Sequence, residues 1–197
     1  MKYSAFPIVT SLINGYLLPG EIKSYLEIGV SDGFTLFNVL SHCPRISDLI
    51  LCDNWTGNYG GTGRGNHDYI EAKLVRHGFP LDNVTFLDGD SQIKIPEYFE
   101  QYPDKKVDLG FVDGDHSENG LLGDLENMIE HAHILVVHDI RNANHLYLLN
   151  VFRDFYDTVR EKFILIDDGC DMGMLLSRVF LNWNSDADPP NAEGFAL

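Results

Sequence analysis

The sequence predicts an α/β protein with a seven-stranded, mostly parallel sheet, helices on both faces and a C-terminal antiparallel hairpin. Short runs rich in Ile, Leu and Val alternate with segments of helical spacing and length, which is typical of βαβ units. Only DGCD separates the last two runs, and this stretch is too short for a crossover helix. The first observation predicts the parallel sheet, and the second predicts the hairpin.

Each predicted strand is an apolar run that ends at polar or turn-forming residues. In chain order the runs are YLEIG (25–29), LILCD (49–53), VTFLD (84–88), VDLGFVD (107–113), HILVVHD (133–139), FILID (163–167) and MGMLLSRVF (172–180). Helical spacing is found in HDYIEAKLVRHGF (67–79) and SENGLLGDLENMIEHA (117–132). Ile8, Leu12 and Tyr16 recur at the spacing of a helix face, which predicts a short amphipathic helix on the core.

Length and composition limit the organisation of the chain and its partners. At 197 residues the chain fits one α/β domain, so we expect a single domain over 1–180 and a flexible tail over 181–197. The 14 Lys and Arg against 30 Asp and Glu give a net charge of −16, which argues against nucleic acid and membrane partners. No run approaches the ~20 apolar residues of a membrane span. The three cysteines lack metal or disulfide spacing, which fits a cytoplasmic protein.

The loop after the first predicted strand has the composition of a ligand-binding turn. Gly29 and Gly33 let the backbone turn sharply and approach a ligand, and the following helix offers free N–H groups to an anion. A role in packing or turning alone is the alternative for these glycines. Asp53 ends the second strand, where an acid can accept both hydroxyls of a ribose, and Asp90 and Ser91 follow the third strand. The sequence therefore predicts a nucleoside-type ligand at this edge of the sheet.

The stretch LEIGVSDG resembles the first motif of class I S-adenosylmethionine-dependent methyltransferases, in which an acid precedes a glycine and a small-residue turn into a helix. The resemblance covers roughly 22–178 and implies a Rossmann-like fold with S-adenosylmethionine as cofactor. It implies a cofactor site made of these residues: Glu27, Gly29, Ser31 and Gly33 along the methionine part, Asp53 at the ribose, Asn54, Asp90 and Ser91 at the adenine, and Asp113 beside the cofactor.

Two acids end the fourth and fifth strands, which are neighbours in this topology. Asp113 and Asp139 should therefore converge beside the ligand site, and either one of them is protonated or a cation lies between them. Oxygen ligands favour a hard divalent ion, Mg²⁺ first. His138 is a third ligand if the strand end bends; otherwise it is a hydrogen-bonded residue under a helix.

The sequence DGDH at 113–116 with HD at 138–139 resembles the subgroup that contains metal-dependent O-methyltransferases of sugars and natural products, and more distantly catechol O-methyltransferase. The resemblance implies that Asp113 and Asp139 bind the ion and that His116 is the general base. The chain departs from the subgroup because a second acid or amide usually stands beside the acid that matches Asp139, whereas here His138 precedes it and Ile140 follows it. The alternative is that His116 is a turn residue that caps the helix starting near Ser117. Ser117 is itself predicted as the N-cap of that helix.

One glycine-rich stretch, NWTGNYGGTGRG at 54–65, matches no phosphate-binding loop because G-K-[ST] is missing. It is either a lid that carries Trp55, Tyr59 and Arg64 over the site or an ordinary surface loop.

These observations predict a methyltransferase that acts on a small hydroxylated molecule, such as a sugar or natural product, with O-methylation assisted by a divalent ion. N- and C-methylation stay open, as does assembly into a homo-oligomer. Two other functions are considered: a non-catalytic nucleotide-binding or scaffold protein with the same fold, and an NAD-dependent oxidoreductase, which the missing G-x-G-x-x-G disfavours.

Overall fold

The computed structural model describes residues 22–56, 65–167, 169 and 171–183. Three predictions fall outside these residues: the helix around Ile8 to Tyr16, the placement of Tyr59 and Arg64, and most of the proposed tail after 180.

Seven strands form one sheet in the order β3-β2-β1-β4-β5-β7-β6. The first five strands are parallel, whereas β7 runs antiparallel to both of its neighbours. The predicted sheet and its closing hairpin are therefore confirmed. The strands are β1 Ser24–Ile28, β2 Asp48–Asp53, β3 Val84–Asp88, β4 Val107–Val112, β5 Ala132–Val137, β6 Phe163–Asp167 and β7 Gly173–Ser177.

Helices connect the parallel strands and cover the sheet. They are α1 Phe34–His42, α2 His67–Arg76, α3 Ser91–Gln101, α4 Glu118–Met128, α5 Leu148–Val159 and α6 Arg178–Trp183, with a short 3-10 turn at Leu81–Asn83. Local sequence sets where several of them begin. The Asn66 side chain accepts a hydrogen bond from Tyr69 N at the start of α2, and Ser117 Oγ accepts one from Gly120 N at the start of α4. The prediction of Ser117 as an N-cap is confirmed.

The core has two layers because consecutive strand residues point to opposite faces of the sheet. Tyr25 belongs to the layer that includes Leu36 of α1 and Leu74 of α2. Leu26 belongs to the layer that includes buried residues of α3, α4 and α5. Burial on both faces explains why the predicted strands are continuous apolar runs and not alternating ones. Among the described residues no helix has the length and apolar character needed to cross a membrane.

The end of the described chain differs from the prediction. The seventh strand was expected to run to Phe180, but β7 ends at Ser177 and α6 follows directly. Ser177 pairs with Phe163, the first residue of β6, and one further backbone hydrogen bond, from Arg178 N to the Lys162 carbonyl oxygen, follows where the helix begins. Phe180 instead packs into the core at 4% exposure, while Val179 is 75% exposed. The prediction of one domain over 1–180 stays a prediction, as does the tail over 181–197.

Candidate active site

The loop after β1 packs tightly against the turn after β4. Gly29 has φ 86°, and a Cβ atom built on it would lie 2.0 Å from the carbonyl oxygen of Asp113. Only glycine allows both this backbone conformation and this contact. The first predicted binding loop and the turn that carries Asp113 are thus held together by backbone contact.

Asp53 links the loops that follow β1 and β2. Its Oδ2 accepts a hydrogen bond from Ser31 N at 2.7 Å, and its Oδ1 accepts one from Trp55 N at 2.6 Å. Ser31 and Trp55 have φ angles of 50° and 59°, in the left-handed region that non-glycine residues seldom adopt. The predicted ribose acid is therefore fixed in place, and each carboxylate oxygen keeps a further lone pair for a ligand.

Glu27 lies on β1 with no exposed surface. The Tyr25 hydroxyl donates a hydrogen bond to Glu27 Oε2 at 2.8 Å. Glu27 Oε1 is buried and has no hydrogen-bond partner among the described residues. Burial raises the pKa of this carboxyl well above its usual value. A buried acceptor without a donor is expensive, so Oε1 is suited to receive an N–H group from a bound ligand.

The other predicted adenine-side residues have partners within the chain. Asp90 Oδ1 accepts a hydrogen bond from Gln92 N at 2.9 Å and caps α3. Ser91 Oγ donates to Asp124 Oδ1 at 2.7 Å. Asn54 Oδ1 accepts from the N–H and the hydroxyl of Thr56, both at 2.9 Å. The structure thus gives Asn54, Asp90 and Ser91 a role in shaping loops, and their contact with adenine stays a prediction.

Asp124 on α4 is a functional candidate that the sequence interpretation missed. It has no exposed surface, and its Oδ1 also accepts a hydrogen bond from Gln92 Nε2 at 2.6 Å. Its Oδ2 has no partner among the described residues and would lie 3.1 Å from a Cβ built on Gly114. Burial raises the pKa of Asp124 to about 7. The sequence feature that could have identified Asp124 is its position between Leu121 and Leu125, on the buried face of the helix.

The ends of β4 and β5 bring together the two carboxylates that the sequence predicted to converge, and two imidazoles lie beside them. Asp113 Oδ1 lies 3.2 Å from both His116 Nε2 and His138 Nδ1. His138 Nδ1 is also 3.2 Å from Asp139 Oδ1, and His116 Nε2 is 3.7 Å from Asp139 Oδ2. We call these four residues the rim cluster. Asp113, His116 and Asp139 offer ligand atoms within 4.8 Å of one another, which is close enough to share one ion.

A bend at the end of β5 brings neighbouring residues to the same side. The strand ends at Val137, and Asp139 has φ 58°. Aspartate tolerates this left-handed conformation better than most residues. Because of the bend, His138 and Asp139 both contribute to the rim cluster. This is the condition that the sequence set for His138 as a ligand; its binding of a metal stays a prediction.

The charges of the rim cluster shift one another strongly. Burial lowers the pKa of His138, but the Asp113 and Asp139 carboxylates outweigh this and raise it to about 10. Burial raises the pKa values of Asp113 and Asp139, but the adjacent imidazoles prevail and hold both below the usual range. The hydrogen bond to Asp113 raises the pKa of His116, against the effect of burial. The cluster therefore favours a positive charge between its carboxylates.

Asp171, in the turn between β6 and β7, is a second acid that the sequence interpretation missed. Its Oδ1 accepts a hydrogen bond from Arg141 N at 3.1 Å. Asp171, His138 and Asp139 also offer ligand atoms within 4.8 Å of one another. Burial and the charge of Asp139 raise the pKa of Asp171. The sequence feature that could have identified Asp171 is its place in DGCD, directly before the strand that pairs with β5.

The turn that carries His116 is fixed from both sides. Asp115 accepts hydrogen bonds from the N–H and the hydroxyl of Ser117, both at 2.9 Å. The Tyr147 hydroxyl donates to the His116 carbonyl oxygen at 2.7 Å. Since the helix cap is Ser117, the alternative of His116 as the cap is wrong. The imidazole is left to face the two carboxylates.

The glycine-rich stretch is anchored on both sides by Asp88 at the end of β3. Trp55 Nε1 donates to Asp88 Oδ1 at 2.8 Å, and His67 Nδ1 lies 2.7 Å from Asp88 Oδ2. A Cβ built on Gly65 would meet the carbonyl oxygen of Ser31, so the chain returns directly onto the first loop. The action of residues 54–65 as a lid stays a prediction.

The sheet order, the acid-glycine loop after β1 and the acid at the end of β2 are those of the Rossmann-like fold of class I methyltransferases. A family model described as a methyltransferase domain matches residues 26–140, and the chain belongs to this family. The resemblance inferred from LEIGVSDG is confirmed, and so is the prediction of a methyltransferase. Comparison with curated proteins gives no match.

Several solved structures share the fold. CalS11, a TDP-rhamnose 3'-O-methyltransferase of calicheamicin biosynthesis, has a TM-score of 0.64 at 16% identity, over 86% of this chain and 77% of that chain. An O-methyltransferase from Bacillus cereus, solved with SAH, has a TM-score of 0.61 at 12% identity, over 90% and 82%. MycE, solved with Mg, SAH and mycinamycin VI, has a TM-score of 0.59 at 15% identity, over 94% of this chain and 51% of that chain. At these identities the likeness shows the fold.

Proposed function

We propose that the protein transfers a methyl group from S-adenosylmethionine to a hydroxyl oxygen of a small molecule, with assistance from a divalent ion. The observation that carries this proposal is the rim cluster, in which His116 faces Asp113 and Asp139 at the strand ends beside the Gly29 loop. The names of CalS11 and MycE point to acceptors of this kind, a nucleotide sugar and a natural product.

Two observations support S-adenosylmethionine at the first loop. The buried Glu27 Oε1 lacks a donor among the described residues, as expected if an ammonium group of the ligand completes it. Asp53 is held by Ser31 N and Trp55 N at the end of β2, where a ribose acid belongs. When bound, the cofactor supplies a methyl group on a positively charged sulfur, which needs no further activation.

The rim cluster fits a divalent ion. Asp113 and Asp139 present oxygen ligands, and His138 Nδ1 is a buried polar atom without a hydrogen-bond partner among the described residues. When bound, a divalent ion lowers the pKa of an acceptor hydroxyl and fixes its direction. The chain's own part is to hold the acceptor oxygen in line with the transferable methyl group.

His116 is the proposed general base. Its Nε2 donates a hydrogen bond to the ionised Asp113 carboxylate, so the other ring nitrogen, Nδ1, takes the proton that leaves the acceptor hydroxyl as the new carbon–oxygen bond forms and the carbon–sulfur bond breaks. Asp113 Oδ1, 3.2 Å from Nε2, stabilises the imidazolium that results. The backbone of Ser117 and the hydroxyl of Tyr147 keep the turn from moving during this transfer.

Isothermal titration with S-adenosylmethionine and S-adenosylhomocysteine tests the cofactor, and methyl transfer to a panel of hydroxylated sugars and phenols tests the reaction. We expect both ligands to bind, and His116→Gln to keep binding while losing transfer. Absence of binding with and without divalent ions would overturn the proposal. Binding without transfer, unchanged by His116→Gln, would indicate a non-catalytic binding protein instead.

A further inference from the structure

We infer that the ion held by the rim cluster is a divalent first-row transition ion and not Mg²⁺, because His138 supplies a nitrogen ligand through Nδ1. The inference rests on the metal site of the proposed function and names the class of ion that this chain selects. It also revises the expectation of magnesium drawn from the sequence.

The two histidines of the rim cluster are bonded differently. His116 Nε2 forms a hydrogen bond with Asp113 Oδ1 at 3.2 Å. His138 Nδ1 is equally close to Asp113 Oδ1 and Asp139 Oδ1, is buried from solvent and lies outside good hydrogen-bond geometry to either. An imidazole must be unprotonated at the nitrogen that binds a metal, so an ion would replace the proton that the carboxylates otherwise stabilise there. Ligand atoms that share one metal ion lie close together without hydrogen bonds between them. His138 Nδ1 has this relation to the two carboxylates. We therefore assign His138 as the ligand, with Asp139 and Asp171, whose ligand atoms lie within 4.8 Å of it, and His116, which is hydrogen-bonded to Asp113, keeps its role as base.

The donor set around His138 has more oxygens than the rim cluster alone provides. Asp171 brings a third carboxylate within 4.8 Å of the ligand atoms of His138 and Asp139. Arg141, which follows this segment, directs its guanidinium to Asp167. Three carboxylates around one imidazole supply enough negative charge for a divalent ion.

The chemistry of the donors selects the ion. Mg²⁺ demands oxygen ligands in near-ideal octahedral geometry, whereas imidazole suits Fe, Co, Ni, Cu and Zn. Mixed nitrogen and oxygen sites bind the later divalent ions more tightly, following Mn²⁺ < Fe²⁺ < Co²⁺ < Ni²⁺ < Cu²⁺ > Zn²⁺. A chain that presents an imidazole at a ligand position thus gains affinity for these ions and loses affinity for Mg²⁺.

Cobalt is a suitable probe because its visible absorption changes with the geometry and the donor atoms of its site, so replacement of an imidazole by a carboxylate alters the spectrum. The chelator-treated full chain is titrated with Co²⁺ while the visible spectrum is recorded, and Mg²⁺, Mn²⁺ and Zn²⁺ then compete. We expect Co²⁺ and Zn²⁺ to bind at least about 100-fold more tightly than Mg²⁺. Mg²⁺ binding as tight as Co²⁺, or no ion binding at all, would overturn the inference; in the second case the His138 imidazolium itself occupies the place of the ion.

Variants separate the two histidines. His138→Asp restores an all-oxygen site, so we expect it to change the Co²⁺ spectrum and to reduce the preference for Co²⁺ over Mg²⁺ by about tenfold or more. His116→Gln should keep the spectrum. The matched control is His42→Asn, which alters an exposed histidine bonded to the Asn38 carbonyl oxygen and should change neither quantity. An unchanged spectrum in His138→Asp, or a lost one in His116→Gln, would overturn the assignment.

Asp171→Asn provides a second test if His138→Asp fails to fold by circular dichroism. We expect it to weaken Co²⁺ binding by about tenfold while preserving the nitrogen-dependent absorption, and a binding constant equal to that of the native chain would exclude Asp171.

Titration of the same protein with S-adenosylhomocysteine distinguishes the two proposals. If the cofactor binds but the protein does not prefer Co²⁺, only the ion assignment is contradicted. If Co²⁺ binds through His138 but the cofactor does not bind, only the proposed function is contradicted.

Discussion

The two halves of the strand-end rim are stabilised in different ways. In the loops after β2 and β3, Asp53 and Asp90 accept hydrogen bonds from backbone amides, whereas Glu27 on β1 accepts one from the Tyr25 hydroxyl. At the ends of β4 and β5, carboxylates and imidazoles face one another, and His138 Nδ1 has no hydrogen-bond partner among the described residues. We call these the cofactor half and the chemistry half.

The difference indicates what each half is prepared to bind. Backbone amides have fixed positions and leave the carboxylate's outer lone pairs for a neutral or zwitterionic ligand. Side-chain charges packed together depend on the ions and protons that balance them. Apart from Glu27, whose Oε1 has no partner among the described residues, the cofactor half is therefore preorganised by the fold, whereas the chemistry half is completed by what it binds. If this difference is correct, a substitution in one half should have a different effect from a substitution in the other.

The largest effect is expected at the contact between the halves. Gly29→Ala would push a methyl group to 2.0 Å from the Asp113 carbonyl oxygen in a left-handed backbone. We expect a loss of about 4 kcal/mol or more in the free energy of unfolding, measured with urea. Gly78→Ala is the matched control, because Gly78 has a similar φ of 77° and nothing within 4 Å of an added Cβ.

Gly78→Ala should lose only the ~1–2 kcal/mol of left-handed strain. Equal losses in the two variants would show that backbone strain, and not the contact with Asp113, makes glycine necessary at Gly29. The two halves would then be independent of each other.

The second prediction concerns Asp124, which ties Ser91 and Gln92 of the cofactor half to α4. Its pKa of about 7 in the folded protein lies above the usual value for an aspartate. The folded state thus holds its proton more firmly than the unfolded chain, so stability is greatest at low pH and falls as pH rises from ~4 through 7. A shift of this size corresponds to at most about 4 kcal/mol.

Asp124→Asn should remove this pH dependence, leaving the free energy of unfolding nearly level between pH 5 and ~8 apart from other groups. The measurement is urea unfolding at several pH values. The matched control is Asp154→Asn, which alters a residue on the exposed side of α5 and should keep the fall seen in the native chain. If the fall persists in Asp124→Asn, Asp124 is ionised in the folded state.

Sequence patterns predicted most of the fold, because burial on both faces leaves continuous apolar runs in the central strands β1, β2, β4 and β5. They also predicted that Asp113 and Asp139 meet, since the ends of adjacent parallel strands share one edge. They did not predict the meeting of Asp171 with His138. An antiparallel closing pair was expected, but apolar periodicity does not say which member lies beside β5, and it is β7.

Asp124 was missed for a different reason. A helical pattern is read from its apolar residues, so an acid among them is taken as part of the polar face. Only the packing of α3 against α4 shows that Ser91 and Gln92 supply partners that make its burial possible. The bend at Asp139 was likewise named as a condition and not as a prediction, because backbone conformation after a strand depends on tertiary contacts.

The third prediction addresses the chemistry half through the pH dependence of methyl transfer. As a general base, His116 must be unprotonated, so activity falls as pH drops through its pKa, which Asp113 raises above the usual value for imidazole. We expect kcat/KM to rise with pH through the raised pKa of His116 and to level off on its alkaline side. His116→Gln should lower the plateau about 100-fold and abolish the acid limb, while the Kd of S-adenosylhomocysteine stays within about twofold.

His131→Gln is the control for the third prediction, since His131 lies at the opposite end of β5 and stacks on Phe99. This variant should keep the acid limb. If His116→Gln keeps the limb as well, another group of the rim cluster accepts the proton, and the chemistry half does not use His116 as its base.

The smallest effect is expected from Trp55→Phe, which removes only the 2.8 Å hydrogen bond from Trp55 Nε1 to Asp88 Oδ1. Hydrogen bonds in the cofactor half are expected to contribute independently of one another. The loss of this one should therefore lower the free energy of unfolding, measured with urea, by about 0.5–1.5 kcal/mol. Combined with Asp124→Asn, the two losses should add to within about 0.5 kcal/mol, because the two changes share no partner. Clear non-additivity would mean that the cofactor half is coupled as strongly as the rim cluster, and the contrast between the halves would fail.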